Sequence, residues 1–150
     1  MLFYTHVVIG IILFLSFGNL FAEANAIIFL LVVLLGSLLP DIDENGSKIN
    51  QWSGIIGKIV SFFTKHRGVS HSIFFTVLLY FLLKSLVGVY SWAFLIGYLG
   101  HIFADGITPM GVHIFYPFSN FKIKGPIKVG SLAEGVLFLG LVAWIIMELW

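Results

Sequence analysis

Five apolar runs of near-bilayer length, parted by short polar joints, leave this chain few ways to fold. They cover residues 2–21, 25–39, 71–89, 91–107 and 131–150. A helix that spans the hydrocarbon needs about 20 mostly apolar residues, and helix is favoured there because every backbone polar group is satisfied within the segment. The second run is short and is ended by Pro40. Hydrophobic residues make up 59% of the 150 and charged residues only 10%, against about 25% charged in a soluble domain. These features predict an all-α protein: a polytopic membrane helical bundle of about five spans, forming a single integral membrane domain over residues 1–150. The first run lacks a basic leader and is followed at once by a second, so it reads as a retained span rather than a signal peptide.

One more segment is helical in pattern but cannot span. Residues 52–65 (WSGIIGKIVSFFTK) place Ile55, Ile56, Ile59, Val60, Phe62 and Phe63 at roughly helical spacing, with Lys58 and Lys65 on another side. This predicts an amphipathic helix lying in the membrane interface.

With five spans, the loops at 40–70 and 108–130 fall on the same side as Met1. They carry Lys48, Lys58, Lys65, Arg67, Lys122, Lys124 and Lys128, while the opposite side has only Lys84, itself within a span. By the positive-inside rule, the side holding Met1 is cytoplasmic. The same topology brings all five histidines and all three aspartates to that face. Residues scattered at random would have divided between the two faces, so this convergence is the sequence's strongest sign of a site.

The chemistry open to such a site is narrow. With no cysteine, disulfides, thiolate nucleophiles and Cys-type zinc sites are excluded, and a metal must use His and carboxylate ligands. A net charge of +1 provides no general basic field for nucleic acid. His101 and Asp105 are spaced i, i+4, sharing one helix face with Cβ atoms about 5–6 Å apart. In PDIDEN, Asp41 and Asp43 sit between Pro40 and Gly46, so a turn could wrap them around a cation. In HRGVSHS, a turn at Gly68 would bring His66 and His71 together. Between them lies Arg67, the single arginine, whose fork suits a phosphate or a carboxylate. Ser70 and Ser72 read as N-caps of the third span. His6 is a lone histidine on an apolar helix, at the depth of His101. His113 lies among loop aromatics and is the weakest candidate.

The order of TH near the start, then LLPDIDE, HRGVSHS and GYLGHIFADGITPMGVHIFYPFS, resembles a family of inner-membrane proteins known as membrane-bound metal-dependent hydrolases, the LexA-regulated inner-membrane protein family. The likeness runs over nearly the whole chain, with Ser70 where members commonly have threonine. More distantly, His101-x-x-x-Asp105 followed by Pro109, Met110 and His113 is similar to a motif of zinc-dependent phospholipase C and the related zinc nucleases. The resemblance implies a metal-dependent hydrolase. In that reading His6, Asp41, Asp43, His66, His71, His101 and Asp105 bind one or two zinc ions or other divalent metals. Such ions lower the pKa of water and polarise the scissile group. Asp43 or Asp41 would serve as general base and Arg67 would hold a substrate phosphate. A site at headgroup depth points to a phosphoester of a membrane lipid or lipid-like substrate. The rival from another class is a metal- or proton-binding transporter, which predicts polar residues running through the bilayer. A non-catalytic membrane protein with polar helix ends is the third reading.

Overall fold

The structure is a computed structural model that describes residues 1–63 and 67–150. Seven α-helices follow in chain order: α1 (Phe3–Phe17), α2 (Ala26–Leu38), α3 (Lys48–Trp52), α4 (Ile55–Phe63), α5 (Ile73–Val87), α6 (Tyr90–Gly106) and α7 (Leu132–Leu149). Short 3-10 helices at Gly18–Phe21, Leu39–Asp43 and Val69–His71 extend or join them. Among the described residues the only β pairing is one isolated antiparallel bridge between Val112 and Ile123. Among the described residues, three helical stretches are long and apolar enough to cross a membrane: Phe3–Phe21, Ala26–Asp43 and Leu132–Leu149. The fold is therefore a helical membrane bundle, to which α5 and α6 contribute two shorter helices.

Local chemistry fixes the helix ends. Asn25 caps α2 by accepting from the backbone N–H groups of Ile27 and Ile28, and Ser72 caps α5 by accepting from Phe75 N. This cap starts α5 at Ile73, where a span from residue 71 was expected, and leaves His71 in the preceding 3-10 turn. Ser70, also expected to cap, instead turns inward to Asp43. Residues 52–65 do not form one helix. Gly54, at φ +57°, breaks the segment between α3 and α4. Helix α4 keeps the amphipathic pattern and leaves Ile55, Ile56, Phe62 and Phe63 exposed, as an interfacial helix would.

Burial is inverted relative to a soluble protein. Leu132, Leu139, Leu78 and Ile27 lie outermost, whereas Thr5, His6, Ser37, Thr76, Ser91, His101 and Asp105 are buried. In lipid the apolar surface needs no cover, and the polar groups must find one another inside. The tightest seam joins α2 to α6. A Cβ on Gly36 would lie 2.4 Å from Phe94 O, and one on Gly97 would lie 2.0 Å from Val33 O. The two glycines thus let the backbones touch directly, as small residues do between membrane helices. This seam brings the end of α2, and the Asp41 turn beyond it, against the His101 face of α6.

Candidate metal centre

Four ligand-type groups converge at one end of the bundle: Asp41, His71, His101 and Asp105 each offer an atom within 4.8 Å of the others. Helix α6 supplies His101 and Asp105 one turn apart. The 3-10 turn after α2 supplies Asp41, and the turn before α5 supplies His71. All are fully buried except Asp41, whose side chain is 14% exposed.

The hydrogen bonds around the two imidazoles set their tautomers. His101 Nδ1 lies 2.7 Å from the carbonyl oxygen of Ser37, which can only accept, so this nitrogen carries the proton. Ser70 Oγ donates to Asp43 Oδ2, leaving its own oxygen to accept from His71 Nδ1 at 3.0 Å. Asp43 Oδ2 is itself 3.5 Å from His71 Nδ1. Both Nε2 atoms therefore turn inward, 3.2 Å apart, with Asp105 Oδ2 at 3.6 Å from His71 and 3.8 Å from His101. Asp41 Oδ1 stands 3.5 Å from His101 Nε2. In the neutral imidazoles these are two lone pairs facing each other and two carboxylates. Such a knot of acceptors is stable only with a cation or a proton at its centre. His71, outside the spans, shows the pull. Burial alone would depress its pKa, but hydrogen bonds and charge from Asp105 and Asp43 outweigh this and raise it to about 9.

Each described residue named from sequence now has a place. Asp41, His71, His101 and Asp105 form the centre. His6 is fully buried against it, stacked on His101 with ring centroids 3.9 Å apart and with Nε2 3.4 Å from Asp105 Oδ1. Neither of its ring nitrogens has a hydrogen-bond partner among the described residues. Orphaned buried polar atoms at a His/Asp cluster are what a missing ligand would satisfy. Asp43 is placed behind His71, where it accepts from Arg67 N and Ser70 Oγ and orients the ring. A carboxylate–histidine pair of this kind serves to hold a ligand rather than to be one. The position does not suit the general-base role expected for it.

Arg67 likewise lies apart from its expected role. Its guanidinium is buried, with Nη2 2.7 Å from Asp105 Oδ2 and Nη1 donating to Thr108 Oγ1 at 2.8 Å and Gly111 O at 3.3 Å. It neutralises Asp105 and ties the loop after α6 to the centre. The left-handed residue of HRGVSHS is Arg67 itself, at φ +58°, and not Gly68. The backbone there is held by the Arg67 N–H bond to Asp43 at 3.2 Å. His66 lies outside the described residues. His113 faces away, its Nδ1 3.3 Å from Asn120 O.

Several supporting residues escaped the sequence reading. Buried Glu134 of α7 accepts from Leu2 N at 2.7 Å, Thr5 Oγ1 at 3.0 Å and Gly130 N at 2.7 Å, and so pins the start of α1. The terminal amine of Met1 donates to Asp105 Oδ1. Tyr98 donates its hydroxyl to Ser70 O at 2.6 Å. An acid near the start of an otherwise apolar span is a signal that could have exposed Glu134. Nothing in the pattern marks Thr108 or Tyr98.

Fold and centre together define a helical membrane protein with a buried His/Asp cluster at one end of its bundle. The chain belongs to the YdjM inner membrane protein family, which it matches over residues 1–150. Among its relatives, an uncharacterised protein of Bacillus subtilis, YvsG, is 31% identical over 111 residues, covering 71% of this chain and 69% of that protein. The inner membrane protein YdjM of Escherichia coli is 35% identical over 121 residues, and the match covers 74% of this chain but 61% of the relative's length. The Shigella flexneri protein of the same name gives the same figures. No solved structure matches the chain.

Proposed function

We propose that this protein is a membrane-embedded, metal-dependent hydrolase that cleaves a phosphoester of a lipid or lipid-like substrate. The observation that carries the reading is the pair of inward Nε2 atoms, 3.2 Å apart and flanked by Asp41 and Asp105. Two neutral nitrogens and two carboxylate oxygens form a donor set suited to zinc, with another divalent metal as the alternative. Bound there, the metal would supply Lewis acidity and a hydroxide-like nucleophile near neutral pH.

The chain's own residues divide the remaining work. His71, His101, Asp41 and Asp105 would hold the ion, with His6 stacked on His101 beside them. Asp43 and the Ser37 carbonyl keep the two imidazoles in the binding tautomer. Arg67 offsets the charge of Asp105. Asp41, the one partly exposed member, is placed to take a proton from water entering at the cluster. The bilayer side of the proposal follows from charge. Helices α1, α2, α5, α6 and α7 cross the membrane, the N-terminus is cytoplasmic, and the centre faces the cytoplasm at headgroup depth.

Elemental analysis of the protein purified in detergent tests the reading. It expects about one or two equivalents of zinc, manganese or iron, lost in His101→Ala. Parent protein without stoichiometric metal would refute it. With metal present, phosphodiester, phosphomonoester and acyl-ester lipids offered in parallel separate the substrate classes, and exclusive acyl-ester cleavage would refute the phosphoester assignment.

A further inference from the structure

A cleft of about 280 Å³ opens beside the one partly exposed ligand-type residue, Asp41. Its walls come from Met1, Leu2 and Phe3 at the start of α1, from the Asp41 turn with Glu44 beside it, and from Ser47 and Lys48 at the start of α3. Lys48 lies against two aromatic rings. Its ammonium donates to Tyr4 Oη at 2.8 Å and lies 4.2 Å from the ring centroid of Tyr4 and 4.7 Å from that of Phe3. A lysine serving only as an interfacial anchor would extend its head into water. Here two aromatic faces and a phenol keep the charge at the wall of the cleft.

The scaffold ties this charge to the metal centre. Ser47 Oγ donates to Asp41 O at 2.6 Å, and Asn50 Nδ2 donates to Ile42 O and to Gly57 O, each at 2.7 Å. Trp52 of α3 packs edge-on to Phe3 with centroids 5.4 Å apart. The turn that presents Asp41 and the helix that presents Lys48 are thus one hydrogen-bonded unit, fixed against α1. With the Met1 amine committed to Asp105 and Arg67 to Asp105 and Thr108, the cation left facing this cleft is Lys48.

We infer that this cleft is the site for the phosphate group of the substrate, recognised by Lys48 on one wall and the ion held through Asp41 on the other. The inference deepens the hydrolase reading and rests on it for the second cation, while Lys48 recognition stands on the cleft alone. An ammonium holding one bond to Tyr4 keeps two further N–H donors for phosphate oxygens, and such charge-assisted bonds are the strong kind.

The test measures binding of inorganic phosphate to the full chain in detergent by calorimetry, in metal-loaded and metal-free protein, with metal content recorded for each variant. Lys48→Met is expected to weaken phosphate binding by about tenfold or more, the effect of losing one charge-assisted contact. Its metal content and thermal unfolding should stay at the parent's values. Lys58→Met, on the exposed side of α4, should bind phosphate like the parent. Parent protein that binds no phosphate, or Lys48→Met that binds it as tightly as the parent, overturns the inference. Lys48-dependent binding in a protein that holds no metal would sustain the cleft and sink the hydrolase reading instead. Competition identifies the source of the phosphate. Displacement by phosphatidic acid in nanodiscs but not by glycerol phosphate marks a lipid headgroup, and equal displacement by both marks a soluble phosphate. Either result supports the cleft.

Discussion

Replacing Gly97 by alanine probes how far the proposed metal centre depends on the α2–α6 seam. The new Cβ would lie 2.0 Å from Val33 O and 2.9 Å from Ser37 N, both backbone atoms that cannot rotate away. Ordinary contact begins at 3.4 Å, so the helices must part locally by roughly 1.4 Å. The bond from His101 Nδ1 to Ser37 O, now 2.7 Å, spans this same seam one turn further along, and such a shift carries it out of hydrogen-bond range. Overpacking of this kind costs about 1–3 kcal/mol. Loss of a partner that orients a metal-binding histidine lowers affinity about 10- to 100-fold. Thermal unfolding in detergent should therefore fall by several degrees, and a chelator competition should show the loss of metal affinity. Gly140→Ala on α7 is the matched control. Its Cβ meets nothing within 4 Å, so the change should be neutral or stabilise by about 0.5–1 kcal/mol through helix propensity. If Gly97→Ala unfolds with the parent and binds metal as tightly, the direct backbone seam and the role given to the Ser37 carbonyl are both wrong.

Two further outcomes follow from the geometry around His71. Asp43→Asn removes the carboxylate behind the ring while leaving the four converging residues in place, so metal should still bind but about 10- to 100-fold more weakly; Asp41→Asn, which removes a ligand, should lose more, and the reverse order by chelator titration would reassign the two aspartates. His71 also predicts a pH dependence. Its pKa is raised to about 9 in the folded metal-free protein through Asp105 and Asp43, with His101 facing it across the cluster. Metal must displace that proton, so affinity should climb with pH up to about 9, and calorimetry in buffers of different ionisation enthalpy should show about one proton released per ion at pH 7.5. The sign for the metal-free fold is the opposite. A folded pKa above the unfolded value of about 6.5 stabilises fully below that value, and this contribution is lost as pH rises toward 9. Flat metal affinity between pH 6 and 8 would rule out a protonated His71.

The membrane class, the positions of the apolar runs and the approach of His6, His71, His101 and the three aspartates to one end could be read from the chain. They depend on local quantities: run length, charge count and the alternation of sides that each crossing imposes. The i, i+4 pair of His101 and Asp105 was legible for the same reason, since both residues lie on one helix. Which groups meet from different segments was not. Asp41 and Asp43 look equivalent as PDIDE, yet in a 3-10 helix residues two apart point about 120° apart, so one turns to the centre and the other goes behind His71. Arg67 looked open to a substrate because its planar fork suits a phosphate and it lies between His66 and His71. Only the packing of the loop after α6 shows Thr108 and Gly111 taking its hydrogen bonds. Lys48 passed as one more cytoplasmic charge until α3 was seen to fold against Phe3 and Tyr4. Periodicity and charge act along the chain and are written in it. Pairing between segments depends on how closely two backbones can approach, and here the bare glycines at 36 and 97 decide that distance through contacts no single helix contains.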